Sequence, residues 1–212
     1  MGRVKAILQS DFPYNVSARC INREWFNIPL ETVWEIFCEE LTRTHFDHGW
    51  KIHSFVLMSN HFHLIVTTPE ANISQCMLQF MSRTSRRLTK EGNRVNETFA
   101  GRHFKCILQE YSYYLCAYKY NYRNPVTAGI CKSVEAYPFS SIQSKLKLAE
   151  HKIPLVEDAL LIADRVGILN WLNTAPNPEK LEAVRWGFTK QFFESKKDTN
   201  YNKPIFSVND TL

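Results

Sequence analysis

The residues of this chain best suited to chemistry are two histidines one position apart, His61 and His63, in the run Ser59-Asn60-His61-Phe62-His63-Leu64-Ile65-Val66. The run reads as a β-strand, and strand side chains alternate between faces. Phe62, Leu64 and Val66 then point one way and both imidazoles the other. Two neutral imidazoles side by side offer a pair of nitrogen ligands to a divalent cation. Taken alone, a His-x-His pair is also what two polar residues on a sheet face look like, so the chemistry needs further groups.

A stretch rich in tyrosine offers them: Tyr111, Tyr113, Tyr114, Tyr118, Tyr120 and Tyr122. Helical neighbours lie three or four residues apart. Cys116, Tyr120 and Asn124 therefore share one helix face, and Tyr114, Tyr118 and Tyr122 another. The first face presents a phenol and an amide oxygen one turn apart, a nucleophile and a neutral oxygen ligand. The remaining tyrosines read as amphipathic core packing.

These groups need elements to hold them. Pro13 to Arg23 alternates as a first strand, and Pro29 to Phe46 has helical spacing, with Pro29 suited to the start and Gly49 to the end. Lys51 to Met58 and His61 to Thr68 form a hairpin across Ser59-Asn60, closed by Pro69. A helix follows from Asn72 or Ser74 to about Lys90. A fourth strand spans His103 to Gln109. The tyrosine helix spans about Glu110 to Arg123 and is expected to stop at Pro125, because the residue before proline disfavours helical geometry. The order β-α-β-β-α-β is that of an α+β, ferredoxin-like split β-α-β antiparallel sheet with a trailing helix. After Leu146 the character changes. Ala159 to Asn173 and Pro178 to Phe193 read as helices, and Lys196 to Leu212 as a tail. The expected division is therefore 1–146 as the chemical unit and 147–212 as a C-terminal helical extension.

Composition bounds the function. The chain has 212 residues, 44% of them hydrophobic, enough for one sizeable core. No apolar run approaches the roughly 20 residues of a membrane span, and the first ten residues do not read as a secretory signal. The chain reads as cytoplasmic, with six reduced cysteines and no Cys-x-x-Cys pair. Net charge is +5. Nine basic residues stand against three acidic ones between Ile73 and Arg123, which points to a phosphate-bearing partner. Arg83, Arg86, Arg87, Lys90, Arg102 and Lys105 are the candidate phosphate contacts.

Together the motifs resemble a known family. Leu57 to Val66 resembles the histidine–hydrophobic–histidine (HUH) motif of single-tyrosine transposases. Tyr118-Lys119-Tyr120-Asn121-Tyr122-Arg123-Asn124-Pro125-Val126-Thr127-Ala128-Gly129 resembles their tyrosine helix and the turn after it. Tyr137-Pro138-Phe139-Ser140-Ser141 is similar to a motif of the branch associated with repetitive extragenic palindromes (REP), and Phe99 with Gly101 to Lys105 is similar to the entry to its fourth strand. The likeness covers about Val16 to Leu146.

The resemblance implies roles. Tyr120 matches the catalytic tyrosine, His61 and His63 the metal ligands, and Asn124 a further polar ligand for Mg2+ or Mn2+. It implies cleavage and rejoining of single-stranded or hairpin DNA through a 5′-phosphotyrosine, by a monomer rather than a homodimer. A free tyrosine hydroxyl titrates near 10, so forming phenolate at pH 7 costs about 4 kcal/mol. A nearby divalent cation offsets that cost and polarises the phosphate. Two rivals remain on sequence grounds. One is a nucleic-acid-binding module that stacks bases on its open sheet face. The other is a zinc hydrolase, for which no His-Glu-x-x-His or equivalent is present.

Overall fold

The computed structural model describes residues 7–93, 98–99, 101, 103–150, 153–197, 204–206 and 212. Four strands, β1 (Tyr14–Arg19), β2 (Lys51–Leu57), β3 (His61–Thr67) and β4 (Phe104–Ile107), form one antiparallel sheet in the order β2-β3-β1-β4. With helices α1 (Leu30–His48) and α2 (Ile73–Glu91) in their places along the chain, this is the split β-α-β arrangement expected from the sequence.

Strand alternation builds the first core. Tyr14, Val16 and Ala18 of β1 and Phe62, Leu64 and Val66 of β3 all point to α1 and α2. On β2, Ile52 pairs with Val66 and Ser54 with Ile65, so His53 is an extra, bulged residue. The bulge keeps Phe55 and Leu57 on the same side as Ile52. Phe37 of α1 is the hub, with its ring 5.4–6.3 Å from those of Phe55, Phe62, Phe80 and Phe99. Gly49 ends α1 with φ of 71°, a left-handed conformation that glycine adopts without steric cost.

The opposite face carries the histidines and is covered by α3 (Tyr111–Thr127). Val56, Ile65 and Cys106 of the sheet meet Tyr113, Cys116, Ala117, Tyr118 and Tyr122 there. The helix runs through Pro125 rather than stopping before it, which corrects the sequence expectation. Proline removes one N–H, and near the last turn that costs a single hydrogen bond. The stop is made by Gly129, whose φ is 70°. Gly129 N–H donates to Val126 O and Ile130 N–H to Pro125 O, the paired bonds of a Schellman end.

The rest of the chain wraps this second core. Four short helices, α4 (Ile142–Lys145), α5 (Ala159–Ala163), α6 (Arg165–Asn173) and α7 (Pro178–Gly187), follow. The single helix expected over 159–173 is broken at Asp164, whose side chain caps α6 by accepting from Gly167 N–H. Leu172, Val184, Phe193 and Phe206 pack into the tyrosine-helix cluster. Both sheet edges are also occupied. Leu57 N–H donates to Phe139 O, Ser141 N–H to Phe55 O and Val156 N–H to Ile52 O along β2. Ile107 N–H donates to Gln191 O, and Phe193 N–H to Ile107 O, along β4. Occupied edges leave no strand template for another chain. Among the described residues, no helix is long and apolar enough to cross a membrane.

Candidate active site

The strand pattern puts His61 and His63 on the face that α3 covers, and the helix brings Tyr120 to them. The His61 and His63 ring centroids are 5.1 Å apart. The Tyr120 ring stands 5.6 Å from that of His63, at 82°. Its other side meets Phe188, just beyond α7, at 5.2 Å. One phenol of one chain therefore lies against the histidine pair of the same chain.

The other tyrosines of α3 are committed elsewhere. Tyr118 donates to Asp158 Oδ2 (2.8 Å), and the Tyr122 and Ser141 hydroxyls share a bond of 2.9 Å. Burial holds both of these phenols well above the ordinary range, so both stay neutral. Tyr113 packs at a tilt against Phe193, ring centroids 4.5 Å apart. Only half-buried Tyr120 faces the histidines.

The imidazoles are neutral as well. Burial, with the Arg19 charge adding to it, lowers His61 to about 4. Burial, His61 and Arg19 push His63 well below 6.5. His61 Nδ1–H donates to Asn60 Oδ1 (2.7 Å), which leaves Nε2 with a free lone pair. Both ring nitrogens of His63 are buried with no hydrogen-bond partner. An orphaned buried imidazole beside a second one with a free nitrogen fits a cation or phosphate-bound ligand, and a merely structural pair would be hydrogen-bonded. Among the described residues, no cluster of three or more His, Cys, Asp or Glu exists. Among the described residues, a third protein ligand beside the pair would be a neutral oxygen. Asn124 is one turn from Tyr120, and its Nδ2 donates to the Tyr120 carbonyl (3.1 Å), leaving its side-chain oxygen uncommitted in that bond.

Four neighbours of the site carry no signal in the linear sequence. Register sets Ser17 opposite His63 and Arg19 opposite His61. Exposed Arg19 is thus a cation whose charge acts on both imidazoles. Phe104, opposite Ser17, is 68% exposed on the same face. Asn121 donates to Asn15 Oδ1 (2.9 Å) and pins α3 to β1 beside the site. Only the sheet pairing makes these residues neighbours.

The candidate phosphate contacts lie elsewhere. Arg83, Arg86, Arg87 and Lys90 belong to α2, on the far side of the sheet from the histidines. Arg83 is paired with Asp47 (2.7 Å), and Arg87 with Glu39 (2.7 Å) and Glu40 (3.1 Å), all on α1. Arg86 bonds to Ser82 O. Lys105 pairs in register with Val16 and so leans toward the helix side of β4. Arg102 lies outside the described residues. On α3, Lys119 donates to Leu212 O (2.8 Å) and sits over the Trp171 ring.

Comparison with known proteins fits this arrangement. Residues 16–117 match the family described as IS200-like transposases, a stretch that includes both histidines and ends three residues before Tyr120. That stretch is similar to the IS200-like transposases. Its fold is similar to that of a REP-associated tyrosine transposase bound to a REP hairpin, with a TM-score of 0.60, 19% identity, and coverage of 74% of this chain and 93% of that one. A protein of Deinococcus radiodurans R1, provisionally described as a transposase, aligns at a TM-score of 0.39 and 12% identity over 61% of this chain and 92% of its own. No curated protein matches. The chain's four-stranded antiparallel sheet and helices share the fold of that REP-associated neighbour.

Proposed function

We propose that this chain is a transposase that cleaves and rejoins single-stranded DNA through a 5′-phosphotyrosine on Tyr120, at hairpins of the REP kind. The observation that carries the reading is the packing of Tyr120 on His63, beside His61, within one chain. The same contact supports a monomer, because no partner is needed to deliver the tyrosine. Residues 1–146 are assigned the chemistry, and 147–212 the role of an extension that holds α3.

His61, His63 and Asn124 would hold Mg2+ or Mn2+. A divalent cation bound there supplies Lewis-acid polarisation of the scissile phosphate and favours phenolate over phenol. Tyr120 Oη forms a bond to phosphorus as the bond from phosphorus to the 3′ oxygen breaks. The phenolic proton leaves to water, and the 3′ oxygen takes a proton from water. One phosphodiester bond is exchanged for another, so a later 3′ hydroxyl can rejoin the strand without an external energy source. Arg19, exposed beside His61, places a fixed positive charge where the pentavalent phosphorus gains negative charge. Arg86, Lys90 and Lys105 are assigned phosphates of the flanking DNA, together with Arg102. Arg83 and Arg87 are first ties between α2 and α1.

The test is a labelled hairpin oligonucleotide with a single-stranded flank, incubated with magnesium or manganese and run on a denaturing gel. A covalent protein–DNA band is expected, lost in Tyr120→Phe with DNA affinity retained. Binding with no band in the unaltered protein would leave the rival reading, a binding module without catalysis.

A further inference from the structure

A cavity of about 350 Å³ opens at the β2–β3 turn. Its walls are mainly apolar and aromatic, with Trp25, Ile130, Tyr137 and Phe139 prominent. That volume is at the small end of the range for ligand sites, ~300–1,000 Å³. Trp25 forms one lip and is 74% exposed, and Ile130 is 54% exposed. The largest side chain in the code left in water beside a formed cavity is the mark of a surface that meets a partner.

The cavity touches both halves of the active site through the chain. Ser59 lines it and lies two residues before His61, a span of roughly 7 Å at most. The Trp25 segment is fixed to that turn, since Phe26 N–H donates to Ser59 O, and Asn60 Nδ2 to Arg23 O. Ile130 and Cys131 follow directly on Gly129, the stop of the tyrosine helix. The opening thus lies beside the turn that leads into the histidine strand and at the end of the tyrosine helix.

We propose that the cavity takes one unpaired nucleobase of the single-stranded flank, stacked on Trp25. Every base has a π-face, so an aromatic slot holds it without hydrogen-bond readout. Exposed Arg23, two residues before Trp25, and Arg19 supply positive charge for the adjoining phosphates. The inference rests on the DNA reading above and names a part of the substrate that the chemistry itself does not touch. It assigns Trp25 to positioning and selection of the strand.

The test uses a hairpin oligonucleotide selected from a pool with a randomised single-stranded flank. Each flank position is made abasic in turn. In the unaltered protein, one position is expected to lose roughly ten-fold in affinity, the size of one lost stack. Trp25→Ala should lower affinity for intact DNA by the same factor and abolish the penalty at that position alone. Ile130→Ala should reduce it partly and serves if Trp25→Ala does not fold. Cys131, the one cysteine among the described residues that is not fully buried, gives a second readout, because bound oligonucleotide should slow its alkylation. Equal abasic penalties in Trp25→Ala and the unaltered protein would overturn the proposal even if covalent adducts form. So would a Cys131 alkylation rate unchanged by DNA, or a Trp25 effect confined to self-association of the protein. Loss of the adduct with the coupled penalty intact would instead overturn the catalytic reading and leave the base site standing.

Discussion

Placement of single side chains decides what this site can do. Tyr120 is set apart from five neighbouring tyrosines by its direction, since it alone lies against His63. Arg19 is singled out by register, which sets it opposite His61. Arg19→Gln is expected to slow adduct formation roughly a hundred-fold, the cost of losing one transition-state charge contact. The slope of log affinity against log salt should fall by about one. Single-turnover rates and a salt titration check both. His53 gives a stability prediction of known sign. Burial, with Lys145 nearby, lowers it to about 4, and its Nε2 lies 2.7 Å from Thr67 Oγ1. The unfolded chain takes up a proton near 6.5 and the folded chain does not until about 4. Stability is therefore complete above pH 6.5 and falls as the pH drops toward 4. The loss from His53 is about 3 kcal/mol over that window. Urea unfolding across the window should show a shallower acid slope in His53→Asn, while His61 and His63 still add to the slope with the same sign.

The tyrosine helix is the element that turns a histidine strand into a site. It is tied on both sides. Asn121 meets Asn15 on the sheet, and Arg123 donates to the carbonyls of Leu172 (2.9 Å) and Asn173 (2.6 Å) on α6. Lys119, lowered by burial to about 8, is held against Trp171 and Leu212. Its end is set by backbone geometry. A Cβ on Gly129 would meet nothing within 4 Å, so Gly129→Ala is a pure test of the positive φ. Thermal unfolding should show a loss of about 1 kcal/mol, with adduct formation largely retained.

Across the molecule, the extension after Leu146 and the sheet share one hydrophobic cluster. Phe193 is 1% exposed. Its ring lies 4.5 Å from Tyr113 and 5.4 Å from Phe188, which in turn backs Tyr120. Its N–H also joins the edge of β4. Phe193→Ala is expected to cost about 3–5 kcal/mol. Because the packing behind Tyr120 loosens, adduct formation should fall in the fraction that remains folded. Denaturant unfolding with paired activity measurements checks this. The extension thus packs against α3, although its own sequence has no catalytic motif.

Local chemistry and periodicity were enough to read the order of elements, the inward face of each strand and the pairing of His61, His63 and Tyr120 as candidates. Alternation with period two and helical spacing are properties of a chain segment, so they survive without knowledge of neighbours. The α2 basic residues look alike in the sequence for the same reason, because charge counts do not tell which side of the sheet a helix covers or that α1 already supplies acids to Arg83 and Arg87. The expected helix stop at Pro125 weighed one residue's preference against a bond count that only the Gly129 end resolves. Arg19, Phe104, Phe188 and the Trp25 cavity arise from contacts between segments far apart in sequence, where register and packing choose the partners, and only the folded molecule fixes those.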